Sequence, residues 1–312
     1  MRYLALLLLL ASGPAAVAQQ IAQYTQYVFN HFAVNPAVAG SKDCLDVRLG
    51  YRKQWVGFKD APVTAWASLH GAIRPKGKPY QQNRHGIGAF IEADDAGPIG
   101  YTHFLLAYAY HIQTGKERYL SFGTFAGMKQ FKLDVASLTL NNYNDPVVDS
   151  KGSVNVYPMV SPGVWLYGKQ GWTGLSFFQL LGNPIPDVGV DARFTRHYLF
   201  STGRRFRLSK EFALVPSTLV KMSPGSPLAI DLNASLDWRR KLSFGVGYRN
   251  QDAMTFMLRV PFLQYFSFGY SYDITTSKLK VASSNTHEFI LAIYPCKPVD
   301  PSKRIVSCPV FE

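Results

Sequence analysis

The stretch Leu228–Arg249, LAIDLNASLDWRRKLSFGVGYR, decides the fold. Its first arm places Leu228, Ile230, Leu232, Ala234, Leu236 and Trp238 on one side and Ala229, Asp231, Asn233, Ser235 and Asp237 on the other. The second arm sets Leu242, Phe244, Val246 and Tyr248 against Ser243, Gly245 and Gly247. A strand turns successive side chains to opposite faces, so each arm has one apolar face and one polar or small face. Arg239, Arg240 and Lys241 supply the tight turn. Arms of about 9–11 residues match a tilted strand crossing a bilayer. The pair reads as one hairpin of a transmembrane β-barrel, apolar toward lipid and polar toward a lumen.

The pattern repeats. Fourteen strands are expected, roughly 44–52, 64–74, 85–92, 100–111, 118–128, 155–166, 171–178, 194–205, 212–222, 228–238, 241–249, 254–260, 265–273 and 286–293. The alternation is clearest where Phe266, Phe268, Tyr270 and Tyr272 face one way and Ser267, Gly269, Ser271 and Asp273 the other. No segment carries the roughly 18 uninterrupted apolar residues of a membrane helix. Connections after strands 4, 6, 8, 10 and 12 are short, around Gly115, Gly168, Leu208, Arg239 and Pro261. Those after strands 1, 5, 7 and 13 are long: 53–63, 129–154, 179–193 and 274–285. Bacterial barrels have short periplasmic turns and longer external loops. The alternation thus predicts an all-β, antiparallel barrel over 44–294 in the outer membrane, with both termini periplasmic. The connection 75–84 is long for a turn, and those near Pro224 and Asn250 are short for external loops.

The ends differ from the middle. Arg2, an apolar run over Leu4–Ala11, the Gly13-Pro14 break and Ala16-Val17-Ala18 form a signal peptide, 1–18, cut before Gln19. Residues 19–43 do not alternate; Asn35-Pro36-Ala37 breaks a short helical stretch, so this segment is a lumen plug or a periplasmic arm. Residues 295–312, with Pro295, Pro298, Pro301 and Pro309, form a periplasmic tail. Three cysteines in an oxidising compartment give one pair and one leftover. Cys296–Cys308 encloses a short loop, a link worth roughly 3 kcal/mol, and is the favoured pairing. The rival, Cys44–Cys296, would staple the first strand to the last at the barrel seam.

The formal charge is +13. An exported chain argues against a nucleic-acid partner, and the placement of the charge is more telling. Lys116, Arg118, Lys169, Arg204, Arg205, Arg207 and Arg239–Lys241 gather on the short-turn side, whereas Asp94, Asp95, Asp134, Asp145 and Asp149 lie on the long-loop side. Such a basic rim suits the lipid bilayer and its inner-leaflet phosphates; it also suits an acidic periplasmic partner.

Several strings resemble the PorP/SprF family of outer-membrane proteins, associated with type IX secretion and gliding motility. They are Gln23-Tyr24 through Asn35-Pro36-Ala37-Val38-Ala39-Gly40; Arg52-Lys53-Gln54-Trp55-Val56-Gly57 with Ala61-Pro62-Val63-Thr64; Gly174-Leu175-Ser176 with Gln179-Leu180; and Arg196-His197-Tyr198. Ile230–Ala234, Gly247-Tyr248-Arg249, Tyr272-Asp273, Thr286-His287-Glu288 and Cys308-Pro309 before Phe311 follow in order. Val38 stands where the family usually has an aromatic residue, and Asn285-Thr286 where Gly-Ser is common before His-Glu. The resemblance implies a barrel of the FadL type, the long-chain fatty-acid transporter. It also implies partners: secreted adhesins or other cargo with a type-B C-terminal domain, and periplasmic secretion or motility components.

Candidate residues divide by role. Trp55 suits either an interfacial girdle or a partner contact. Asp273, His287 and Glu288 lie near the loop ends of strands 13 and 14; a carboxylate–His group can be catalytic or bind metal, but a lumen hydrogen-bond network fits a barrel better. No G-x-S-x-G occurs to arm an esterase, so the chain is read as a non-enzyme without cofactor or metal. In the long loop after strand 5, Leu138, Leu140, Tyr143, Asp145 and Val147 mix apolar and acidic contacts and are candidates for holding cargo; Arg239, Arg240 and Lys241 are candidates on the basic rim. The expected function is anchoring or helping to secrete a surface protein through its C-terminal signal domain. The alternative is a FadL-like passive channel for hydrophobic small molecules.

Overall fold

Period-two alternation builds the entire wall. The computed structural model describes residues 21–42, 44–73, 83–116, 118–135, 153–186, 191–239, 241–263, 265–281 and 285–295. The strands are β1 Asp46–Lys53, β2 Val63–Ile73, β3 Arg84–Ala96, β4 Ile99–Gly115, β5 Arg118–Leu133, β6 Ser153–Gly168 and β7 Gly171–Phe178. They continue as β8 His197–Arg204, β9 Phe212–Met222, β10 Ala229–Trp238, β11 Leu242–Arg249, β12 Ala253–Phe262, β13 Phe266–Thr275 and β14 Thr286–Ile293. After Arg205, β8 resumes for Phe206–Arg207, which pairs with β9. Each strand lies antiparallel to its neighbours in the chain, and β14 pairs with β1 from Val47↔Ile293 to Lys53↔His287. The sheet is a closed fourteen-stranded barrel. Closure satisfies the backbone hydrogen bonds that an open edge would expose to lipid.

The opening hairpin is β10–β11, in register from Asp231↔Arg249 to Trp238↔Leu242, and Arg239 takes a positive φ in its turn. Leu232, Leu236, Trp238, Phe244, Val246 and Tyr248 are exposed on the outer wall, while Asp231, Asn233, Ser235, Asp237, Ser243 and Arg249 are buried inside. The outer wall continues through Leu49, Tyr51, Phe104, Leu106, Phe122, Phe256 and Phe268. Strands β3–β6 run past the expected limits, and β3 and β4 meet in a tight turn at Gly97-Pro98. The tight turns at Lys116, Lys169, Arg239 and Leu263 share one end of the barrel, here the turn end; the β1–β2, β5–β6, β7–β8 and β13–β14 connections share the other, the loop end.

The lumen is filled by the chain itself. Residues 25–42 are buried almost throughout, with a 3-10 turn at Tyr27–Phe29, one helical turn, α1, at His31–Val34, and a second 3-10 turn at Pro36–Val38. The segment starts beside loop-end residues and descends to enter β1 at the turn end. Ile21, the first described residue, therefore lies in the loop-end half of the lumen, beside Glu92 and Lys221, and not at the rim where β1 begins. Inward glycines make its seat. A Cβ on Gly86 would lie 1.8 Å from the Ala39 carbonyl oxygen, and one on Gly163 2.3 Å from Asn35 Oδ1.

Cys44, at the foot of β1, is disulfide-bonded. With three cysteines in the chain, a bond at Cys44 uses one of the other two and rules out the expected Cys296–Cys308 pair. A short sequence separation favoured that pair, but barrel closure brings the start of β1 to the end of β14. Both Cys296 and Cys308 lie outside the described residues.

Candidate functional site

Charged side chains occupy inward phases at the loop end and form one continuous ladder. Arg52, on β1, reaches Glu288 Oε2 and Asp273 Oδ2 of β14 and β13, each at 2.9 Å. Arg249, on β11, lies 3.4 Å from Asp273 Oδ2 and donates its Nε to Asp231 Oδ1 at 3.1 Å. Lys221, on β9, donates to the other Asp231 oxygen at 2.9 Å. Three carboxylates thus alternate with three cations across six strands. Burying a charge is unfavourable unless it is paired, and here every member has an opposite partner.

The lumen segment is tied into this ladder. The backbone N–H groups of Thr25 and Gln26 donate to the two Glu288 oxygens at 2.7 and 3.2 Å. Thr25 Oγ1 donates to Asp273 Oδ2 at 2.6 Å and accepts from Arg52 at 2.7 Å. Asp273 and Glu288 therefore share a lumen network. His287 does not join them: it precedes Glu288 by one residue, so the pleat turns it outward, where its Nδ1 lies 2.8 Å from the Tyr270 hydroxyl.

A second fastening lies at the turn end. Asp46 accepts from Arg48 at 2.7 and 2.9 Å and pairs with Lys42. His111 Nε2 meets the Ala39 carbonyl at 2.6 Å, and the Tyr167 hydroxyl meets His111 Nδ1 at 2.9 Å. Arg84 donates to the Ser41 carbonyl and to Tyr167 at 2.7 Å. Between the two fastenings, Asn35 Nδ2 donates to the carbonyls of Val164 and Leu175 at 3.0 and 3.2 Å, while its Oδ1 caps Ala37 N–H at 2.9 Å. His31 packs on Trp165 and Trp172, with ring centroids 5.2 and 4.6 Å away. Burial, reinforced by the Arg48 and Lys42 charges, pushes its imidazole down to about 3.

Beside this segment a narrow apolar slot remains. Its wall is Phe90, Leu105, Met159, Phe178, Leu199 and Leu219; residues 21–24, Ala33 and Val34 close its other side. Glu92 and His103, cross-strand partners on β3 and β4, also face it, with His103 Nδ1 3.3 Å from Glu92 Oε1.

The candidate residues drawn from the sequence fall into separate places. Trp55 sits half-buried in the β1–β2 loop, its backbone N–H donating to Thr286 Oγ1 at 3.1 Å. Arg239 pairs with Glu211 on the exposed turn-end rim, with Lys241 beside it. Arg240, and Leu138, Leu140, Tyr143, Asp145 and Val147, lie outside the described residues. The sequence reading missed Thr25, Gln26, Lys221, Asp231 and Arg249 as ladder members, and Glu92 with His103. The available signal was a charged side chain at an inward phase, as Asp231 and Arg249 are in the hairpin that opened the reading.

Solved structures are similar to the chain at low identity. The CymD monoaromatic hydrocarbon channel is 10% identical, with a TM-score of 0.48, over 89% of this chain and 93% of that one. A Pseudomonas aeruginosa FadL homologue is 10% identical, with a TM-score of 0.47, over 90% and 95%. No curated protein matches the sequence. The family model for the type IX secretion system membrane protein PorP/SprF matches residues 16–293, nearly the whole length, and the chain that closes this filled barrel belongs to the PorP/SprF family.

Proposed function

We propose that this outer-membrane member of the type IX secretion system works through its rims and not through its lumen. The loop end holds a secreted surface protein by its C-terminal signal domain, and the basic turn end faces the periplasm and meets secretion or motility components. The observation that carries the reading is the lumen segment, fastened at Glu288–Asp273–Arg52 and again at Asp46, Arg84 and His111. A passive pore would have to break buried, paired charges to open. The outer wall is apolar and committed to lipid, which leaves the two ends for recognition. Loop 134–152, with Leu138, Leu140, Tyr143, Asp145 and Val147, is the prime contact, by strand addition or loop clamping.

Affinity purification tests this directly. The full chain should co-purify a large secreted protein with a C-terminal signal domain, and removing 138–147 should release it and reduce surface display. If nothing of that kind co-purifies and surface display survives the deletion, the reading fails. The apolar slot favours a second reading, passage of hydrophobic small molecules. Uptake by liposomes carrying the purified barrel, at rates above protein-free liposomes, would support it.

A further inference from the structure

We propose that the lumen slot is a binding site for a thin amphipathic small molecule with an apolar body and a hydrogen-bond-donating head, an alcohol or a primary amine. The polar end of the slot carries the argument. Glu92 and His103 are 4% and 9% exposed, and the pair uses only one atom of each in its mutual contact. The remaining atoms, Glu92 Oε2 and His103 Nε2, have no hydrogen-bond partner among the described residues. Buried polar atoms in folded proteins are almost always paired, so two neighbouring orphans on residues that line one cavity mark a place for a ligand group or water.

Their chemistry selects the head. A neutral imidazole that donates Nδ1–H to a carboxylate presents Nε2 as an acceptor, and the free carboxylate oxygen is an acceptor too. Two acceptors call for a donor. A carboxylate head would place its own lone pairs against both. The nearest cations are already engaged: Lys221 with Asp231, and Lys129 against the rings of Tyr101 and Phe194, 4.1 and 4.3 Å away. The shape selects the body. The slot is so narrow that the centre of a water molecule has about 30 Å³ to move in, which suits an unbranched chain and excludes a bulky ring system. One wall is the lumen segment itself, so a bound molecule would also hold that segment in place.

The test is calorimetric titration of the intact barrel in lipid nanodiscs with three water-soluble probes of equal length, 1-hexanol, hexylamine and hexanoate. Empty nanodiscs provide the partition background. The expected result is saturable 1:1 binding of hexanol or hexylamine, with hexanoate at least tenfold weaker. Leu199→Trp, which fills the slot, should abolish binding. Glu92→Leu, which removes the head contact and leaves the walls, should weaken it at least tenfold. Folding of both variants is checked by the heat-modified gel shift of the barrel. If either variant fails to fold, Leu219→Phe serves as the slot-filling control, and the ranking of the three probes on the unaltered protein still decides. Absence of saturable binding, preference for hexanoate, or a structure with the probe in which water alone occupies both orphan atoms would overturn the proposal.

Discussion

At the residue scale, Arg52 has the most to lose. It is 2% exposed and serves two carboxylates and Thr25 at once. Arg52→Leu would leave Glu288 without a cationic partner in the ladder and Asp273 with Arg249 alone. Breaking a buried pair from one side is worth about 3–5 kcal/mol, and that loss should appear in urea unfolding of the barrel in vesicles. A loss below about 1 kcal/mol would mean that water already screens the ladder. His31 gives a pH signature. Its folded value of about 3 lies below the ordinary imidazole range, so between those values the released segment binds a proton that the docked one does not. Docking therefore weakens as pH falls through about 6.5 toward 3, by up to about 1.4 kcal/mol per unit. In hydrogen exchange of residues 25–42, protection should fall more steeply between pH 7 and pH 5 in the natural protein than in His31→Phe. Equal slopes would contradict that account. Asp273 and Glu288 could be found from their inward phase and their place at neighbouring strand ends. Thr25 and Gln26 could not, because period-two alternation stops before β1 and says nothing of where a non-alternating segment docks.

At the element scale, the strands were legible and their lengths less so. Leu232, Leu236 and Trp238 against Asp231, Asn233 and Asp237 fix the faces of β10 without any tertiary information. In β3, the acidic run Glu92, Asp94 and Asp95 resembles a loop, yet all three pair across to β4, and the strand ends only at Ala96. A hairpin that continues beyond the membrane no longer needs an apolar outer face, so its sequence loses the signal that marks the rest of the strand. The inward glycines are the other half-legible feature. Gly163 is tiny in a position that could hold a side chain, but the reason is Asn35, 128 residues earlier, whose amide occupies that space. Gly163→Val should dislodge the Asn35 turn while leaving β6 paired. The expected sign is faster protease cleavage within 21–42 at unchanged barrel gel mobility; cleavage no faster than in the natural protein would show that the seat tolerates a side chain.

At the scale of the whole molecule, the fold is fourteen strands, an apolar outer wall and a doubly fastened lumen segment, and the proposed function puts recognition at the two ends of the barrel. The turn end is basic, and reversing Arg239, Arg240 and Lys241 to Glu should weaken binding of an acidic periplasmic partner in pull-down while the barrel still folds. Collapse of assembly itself would instead assign those charges to lipid phosphates. The central claim is that the lumen is closed by its own chain. Planar-bilayer recording of the purified barrel tests it most directly: the natural protein should be electrically silent, and Gly163→Val combined with Arg52→Leu should open discrete conductance steps. Steady conductance from the natural protein, unchanged by the two substitutions, would contradict it.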